Sequence, residues 1–293
     1  MSDYSIWVLE YAYVPKYHMS GIIYGAHNEG YRKLPYGYVV IKGKGRVAMV
    51  DVGFNNKDLG AKFASMYGVE NWHSPREILA QCDVTPEQVT DIFVTHAHFD
   101  HIGGTSEFPN ARFYIQEQEL SKWIWAMSLG RKYSFLTGAI DPADIMRMVN
   151  AAKEGRLVVV DGDQENILPG IDVHAALDSH TWGCMYVRVR NDGKPDSTAN
   201  SYVFAGDLVY CMENLRGRDG NEGMYIPVGL AVGSQMNLLA ATDRMLGMVG
   251  NDVKRVIPVH EERLKDLYPS RLNKDGLQVI EICLADGAKS LVH

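Results

Sequence analysis

The stretch VTHAHFDHIGG, residues 94–104, places three histidines and one aspartate within six positions. The whole 293-residue chain holds only ten histidines, so the cluster asks for a chemical reason. It continues the apolar run DIFVT (91–95), which reads as a short buried strand ending at His96. Residues two apart in an extended segment point to the same side. His96 and His98 can therefore reach one ion. Asp100 and His101 lie on the loop beyond and can curl towards a second. Gly103 and Gly104 supply bare backbone where the chain must pass close to such a site and enter a helix.

A catalytic zinc site takes nitrogen and carboxylate ligands and keeps one position open for water. The ion at His96 and His98 lacks a third ligand, and His180 in DSHTWG, just past the strand-like run IDVHAAL, can provide it. Asp100 and His101 can be joined by His260, at the end of RVIPV. Asp207, at the end of SYVFAGD, can bridge both ions. Each of these residues has an ordinary reading when taken singly. An aspartate after a strand is often a helix cap, and a lone histidine is often a satisfied core residue. The ligand count of the first cluster is what favours the metal reading. His18, His27, His73, His174 and His293 are left as structural or surface residues. His174 is the most deceptive of them, since it lies on the strand that leads to His180.

Elsewhere the chain alternates two groups of strands with helices. YGYVVIKGKGRVAMVDVGF gives runs at 38–41 and 46–52 around the turn KGKG, and SPRE at Ser74 and TPEQ at Thr85 read as capped helix starts. The segment from Gln116 to about Lys153 is helical in character, with breaks near Gly130 and Gly138 and a restart at DPAD (141–144). Strand-like runs follow (RLVVVDG, IDVHAAL, CMYVRVR, SYVFAGD), then the helical SQMNLLAATDRMLGMV. This order fits two β-sheets packed face to face with helices outside, and fits a doubly wound parallel sheet poorly.

Composition narrows the partners. The formal net charge of -7 argues against a nucleic-acid ligand. Cys82, Cys184, Cys211 and Cys283 are too dispersed for a disulfide framework or a cysteine zinc site. The N-terminus lacks a basic, signal-like start, and no apolar run reaches membrane length, so a cytoplasmic location and no membrane partner are expected. The oligomeric state is left open, a homodimer included.

The pattern His-x-His-x-Asp-His, then His180, Asp207 and His260, resembles the signature of the metallo-β-lactamase superfamily. The run VAMVDVGF, with Asp51, resembles the family's aspartate-bearing turn beneath the site. The resemblance covers nearly the whole chain. It implies an α/β fold, an αββα sandwich of two mixed sheets with helices on the outer faces. It also implies one domain over 1–293, a helical insertion at about 116–153, and two Zn2+, other divalent metals remaining open. Within the superfamily the chain most resembles the N-acyl-homoserine lactonases, which implies quorum quenching. The position of the helical segment, the short run after His260, and Tyr210 three residues past Asp207 carry this likeness. In those lactonases a tyrosine at the place of Tyr210 contacts the substrate carbonyl. Two departures are visible: Ser179 stands where the third motif usually has glycine, and Trp182 sits beside the ligand His180.

The expected function is a dizinc hydrolase that opens a lactone by attack of a metal-bridging hydroxide, with Asp100 as proton shuttle and Tyr210 as oxyanion donor. The alternative is hydrolysis of a cyclic amide, imide or other C–N bond. A non-catalytic zinc module is disfavoured, because structural sites are closed and cysteine-rich. Trp123, Trp125, Met127, Tyr133 and Phe135, with Trp182 and the N-terminal Tyr11, Tyr13, Tyr17 and Met19, are candidates for an apolar pocket wall; core packing accounts for most of them.

Overall fold

The computed structural model describes residues 2–220 and 223–292; His293 lies outside them. Its strands, in chain order, are β1 (Tyr4–His18), β2 (Tyr31–Gly43), β3 (Arg46–Val50), β4 (Asp91–Phe93), β5 (Arg112–Gln116), β6 (Leu157–Val160), β7 (Gln164–Leu168), β8 (Ile171–Leu177), β9 (Gly183–Arg190), β10 (Ser201–Phe204), β11 (Val256–Ile257), β12 (Ser270–Leu272) and β13 (Gln278–Cys283). They form an eight-stranded sheet, β12-β13-β1-β2-β3-β4-β5-β6, and a five-stranded sheet, β11-β10-β9-β8-β7. Both are mixed. β3 to β6 run parallel and the rest of the first sheet antiparallel. In the second, only β10 and β11 are parallel. The fold is the two-sheet αββα arrangement.

Buried side chains from both sheets join in one apolar cluster. β9 is buried at every position, which is why GCMYVRVR lacks a clean alternation. β1 is nearly continuously buried over its first eleven residues, paired on both edges with β2 and β13. Burial on both faces erases the period-two signal, so the tyrosine-rich N-terminal run is a long strand rather than a loose pocket wall. Four strands fall outside the expected set: β1, β7, β12 and β13.

The helical expectations hold with two adjustments, the first being that Gly103 and Gly104 follow a short helix, Phe99–Ile102, and lead only into a 3-10 turn, Thr105–Glu107. Ser74 forms a capping box with Glu77 ahead of the helix Pro75–Leu79, whereas TPEQ yields only a 3-10 turn, Pro86–Gln88. The 116–153 segment contains the helix Glu117–Met127, a 3-10 stretch Arg131–Thr137, and the helix Pro142–Lys153 capped by Asp141. Among the described residues no helix is long and apolar enough to cross a membrane. Four connecting segments, called loops below, follow strand C-termini at one rim: 94–101 after β4, 178–182 after β8, 205–210 after β10 and 258–260 after β11. The first ends in the short helix Phe99–Ile102, which carries Asp100 and His101 where a loop was expected, and the third holds Asp207 in a 3-10 turn, Gly206–Leu208.

Candidate active site

Those four loops bring together all seven residues singled out as metal ligands. His96, His98, His180 and Asp207 form one group, and Asp100, His101 and His260 a second, each with its ligand atoms within 4.8 Å of one another. In the first, Nδ1 of His98 lies 3.0 Å from Nε2 of His96 and 3.1 Å from Nε2 of His180. Oδ2 of Asp207 is 3.3 Å from His180 Nε2 and 3.7 Å from His96 Nε2. In the second, Oδ2 of Asp100 is 3.5 Å from His101 Nε2 and 3.8 Å from His260 Nε2. Oδ1 of Asp207 lies 3.0 Å from each of these two nitrogens. One carboxylate thus faces one group with each oxygen, as a bridge requires.

The donor set fits cations. His101 Nε2, His260 Nε2 and Asp207 Oδ1 are buried yet make no hydrogen bond among the described residues, although they lie 3.0 Å apart. Buried polar atoms are rarely left in that state. Atoms so close and so misaligned for one another are aimed at a common centre. Two imidazole nitrogens facing each other at 3.0 Å, as in His96 and His98, likewise suit a shared cation better than a shared proton.

The surroundings hold four of the candidate ligand histidines, His96, His101, His180 and His260, by their other nitrogen. Nδ1 of His96 meets Thr95 Oγ1, His180 Nδ1 meets the Leu230 carbonyl at 2.7 Å, and His260 Nδ1 meets the Pro35 carbonyl at 2.6 Å. Asp51, at a left-handed φ of 61°, accepts from the Thr95 amide and hydroxyl and faces His101 Nδ1 at 2.8 Å. A non-glycine residue rarely adopts that backbone, and such strain collects at functional sites. Gly104 must be glycine: a Cβ there would stand 2.2 Å from the Val52 carbonyl oxygen. The Ser179 departure is accommodated by a buried turn in which its hydroxyl donates to the Ala176 carbonyl.

Glu119 escaped the sequence reading. It is wholly buried and accepts from the Ala97 amide, the Gly183 amide, the Trp123 indole and the Thr181 hydroxyl. It therefore ties the His96–His98 loop to the His180 loop. Burial raises its pKa and the four donors oppose that rise. Only the i, i+4 spacing to Trp123 hints at this in the sequence; the other three partners come from distant segments.

Burial, then repulsion from neighbouring imidazoles, pushes His96 and His98 well below the ordinary histidine pKa. Burial acts the same way on His101 and His260, but the carboxylates of Asp207 and Asp100 outweigh it and raise both.

Over the candidate ligands lies a small open cleft, walled by Tyr17, Leu34, Tyr36, Tyr67, Phe99 and Tyr210. An apolar groove containing Phe135, Leu136, Leu230 and Val232 adjoins it and shares His98, His180 and Tyr67. The candidate tryptophans do not form the cleft wall. Trp123 is fully buried with its indole donated to Glu119, Trp182 packs against Trp123 and Trp125, and none of the three lines the cleft. Of the other aromatic candidates, Tyr17 lines the cleft and Phe135 the groove. Tyr11 lies beneath, its hydroxyl donated to the Asp100 carbonyl, and Tyr13 and Met19 stay outside both. Met127 and Tyr133 line a separate surface hollow. Tyr210 sits at the cleft floor, its ring 5.0 Å from His260 and 6.1 Å from His180, and donates a 2.7 Å hydrogen bond to Asp207 Oδ2. His174 is buried, stacked on Tyr186, and belongs to neither ligand group.

Comparison with known proteins agrees with this fold. An N-acyl homoserine lactone hydrolase, solved with N-hexanoyl-L-homoserine at its catalytic metal centre, superposes with a TM-score of 0.63 at 17% identity, over 91% of this chain and 97% of that one. AbOPH, a hydrolase in the beta lactamase superfamily, gives 0.65 at 17% identity, covering 98% and 97%. AidC, a dizinc quorum-quenching lactonase, gives 0.59 at 17% identity, also covering 98% and 97%. No curated protein matches the chain significantly. The family profile described as metallo-beta-lactamase superfamily matches residues 35–260, more than half of the sequence, and the chain belongs to that superfamily.

Proposed function

We propose that this metal-dependent hydrolase opens a neutral lactone ring, with two divalent ions, zinc first among them, held by His96, His98 and His180 and by Asp100, His101 and His260, and bridged by Asp207. The observation that carries the reading is the pair of ligand groups sharing one carboxylate at the floor of a small cleft. When bound, such a pair of ions supplies Lewis acidity and lowers the pKa of a shared water towards about 7.

The rest of the chemistry belongs to the chain. Among the described residues, the cleft wall holds no serine, threonine, cysteine, lysine or arginine. Water is therefore the nucleophile, and no side-chain cation waits for an anionic substrate. Asp100 takes the proton that water gives up and returns it to the departing oxygen. Tyr210 supports the developing oxyanion by swinging its hydroxyl from Asp207 to the substrate. An amine leaving group needs a stronger proton donor than this wall provides, so a lactone is preferred to a lactam or imide. The adjoining groove suits an apolar substituent, which makes acyl-homoserine lactones the first substrates to try, in keeping with the lactonases named above.

The test is a panel of lactones, lactams, thioesters and phosphodiesters offered to zinc-loaded protein. The expected result is a higher kcat/KM for at least one lactone than for any other class. A lactam or imide that outperforms every lactone overturns the reading.

A further inference from the structure

Five tyrosines surround the ligand cluster, and their hydroxyls are not equivalent. Tyr210 donates to Asp207, Tyr11 to the Asp100 carbonyl, and Tyr67 to the Gly138 carbonyl at 3.3 Å. Tyr36 and Tyr17 line the cleft, and among the described residues neither hydroxyl has a hydrogen-bond partner. Tyr36 is only 4% exposed. Its ring is fixed on several sides by Tyr11, Phe54, Phe99 and His260, with centroids 6.2, 6.4, 6.4 and 5.4 Å away. Its strand neighbour Tyr38 provides the contrast, since that hydroxyl is sealed in the core without a partner. The Tyr36 hydroxyl is not sealed in this way, and its ring belongs to the cleft wall. A donor held so rigidly costs little to organise when charge develops beside it.

The position of Tyr36 tells which atom it serves. It stands against His260 and in the same wall as Asp100, on the side of the second ligand group. Tyr17 lines the same cleft. Its ring lies against the backbone at Gly21, where a Cβ would come within 2.6 Å of the ring, so glycine is what lets it turn into the cleft.

We propose that Tyr36, assisted by Tyr17, donates a hydrogen bond to the leaving oxygen of the substrate, leaving Tyr210 to the carbonyl oxygen. The inference rests on the lactone-opening reading. Water oxygen bonds to the acyl carbon, the acyl C–O bond breaks, and the ring oxygen keeps the electron pair. The proton lost by water reaches that oxygen through Asp100. Tyr36 keeps its own proton throughout and stabilises the negative charge while the transfer completes.

A donor to the leaving oxygen matters most when that oxygen is a poor leaving group. The test compares zinc-loaded wild type with Tyr36→Phe, Tyr17→Phe and Gly21→Ala on two probes, γ-butyrolactone (alkoxide leaving) and dihydrocoumarin (phenolate leaving). Metal content and melting temperature are checked for each variant. Tyr36→Phe is expected to lower kcat on γ-butyrolactone by roughly 10- to 100-fold and on dihydrocoumarin by less than about 3-fold. Tyr17→Phe and Gly21→Ala should show the same asymmetry in weaker form. Equal losses on both probes, or none on either, overturn the proposal. A binding arm separates this failure from failure of the function itself. The Kd of 4-hydroxybutyrate, measured calorimetrically on zinc-loaded protein, should rise by about 3- to 10-fold in Tyr36→Phe. If wild type opens neither probe, this binding result alone decides, and an unchanged Kd, or no binding to wild type, then overturns the role of Tyr36, while the functional reading itself is judged by the substrate panel.

Discussion

His96, His98 and His180 set three imidazoles around one point with a single carboxylate oxygen, whereas Asp100, His101 and His260 place two imidazoles among several carboxylates. The difference shows in their protonation. Burial and mutual repulsion keep His96 and His98 neutral, ready to bind metal, while Asp207 and Asp100 raise His101 and His260 against the pull of burial. The first group is nitrogen-rich, and its His96 and His98 exclude protons. The second is carboxylate-rich and attracts any positive charge, proton or metal. Asp207 is the hinge of the comparison, with one oxygen in each group.

Breaking that hinge should have the largest effect. Asp207→Ala is expected to drop metal content from about two ions per chain to one or fewer and to abolish turnover. His98→Ala should cost the first group's ion and leave the second in place. Elemental analysis of the dialysed variants measures both, and full metal retention in Asp207→Ala would remove the bridge from the account.

Tyr210→Phe should follow in size, lowering kcat by roughly 10- to 1,000-fold with metal content unchanged. If metal is lost instead, the hydrogen bond to Asp207 is the residue's whole role. Glu119→Ala leaves four buried donors without an acceptor and should destabilise the fold by about 3–5 kcal/mol, read from denaturant unfolding of the holoprotein. A change under about 1 kcal/mol would show that the two ligand loops do not depend on it.

The proton asymmetry gives a subtler effect. Metal binding requires unprotonated imidazole. Because the second group's histidines hold protons to higher pH, its affinity should begin to fall first on acidification, while the first group's falls later. Cobalt-substituted protein titrated by absorption spectroscopy would show two separated losses in that order. A single merged loss would erase the distinction between the groups.

The smallest effect concerns the support behind His260. Glu213 bonds Arg32 and Arg263, and Arg263 also bonds Glu261, which accepts from the Met212 amide. Burial alone would raise Glu213, but these arginines hold it down at about 2. Its contribution is therefore full above the unfolded value near 4.5 and is lost as pH falls from there towards 2. Solvent screening limits it to about 1–2 kcal/mol. Glu213→Gln should flatten the acid limb of the stability curve by that amount.

The candidate ligand cluster was legible because its chemistry is local: His96, His98, Asp100 and His101 fall within six positions, and His180, Asp207 and His260 each closely follow a readable strand. The sheet order was legible only in outline. β1 lost its alternation to burial on both faces. β13 pairs with β1 at the far end of the chain, so this partner of QVIEIC could not be seen locally, and β12 adds only to the outer edge of β13. The pocket wall was the least legible part. Trp123 and Trp182 look like a binding surface in sequence, yet one is spent on Glu119 and the other covers it. Tyr36, which does face the cleft, looks like any core residue of a strand, because its orientation depends on rings from four distant segments.

The most direct test of the dinuclear lactone-opening account is the initial rate of γ-butyrolactone opening, followed as zinc is added back to chelated protein. The account predicts no turnover without metal, a rise that continues past the first equivalent, and a plateau at about two ions per chain. Full activity in the metal-free protein, or saturation at one ion, would contradict it.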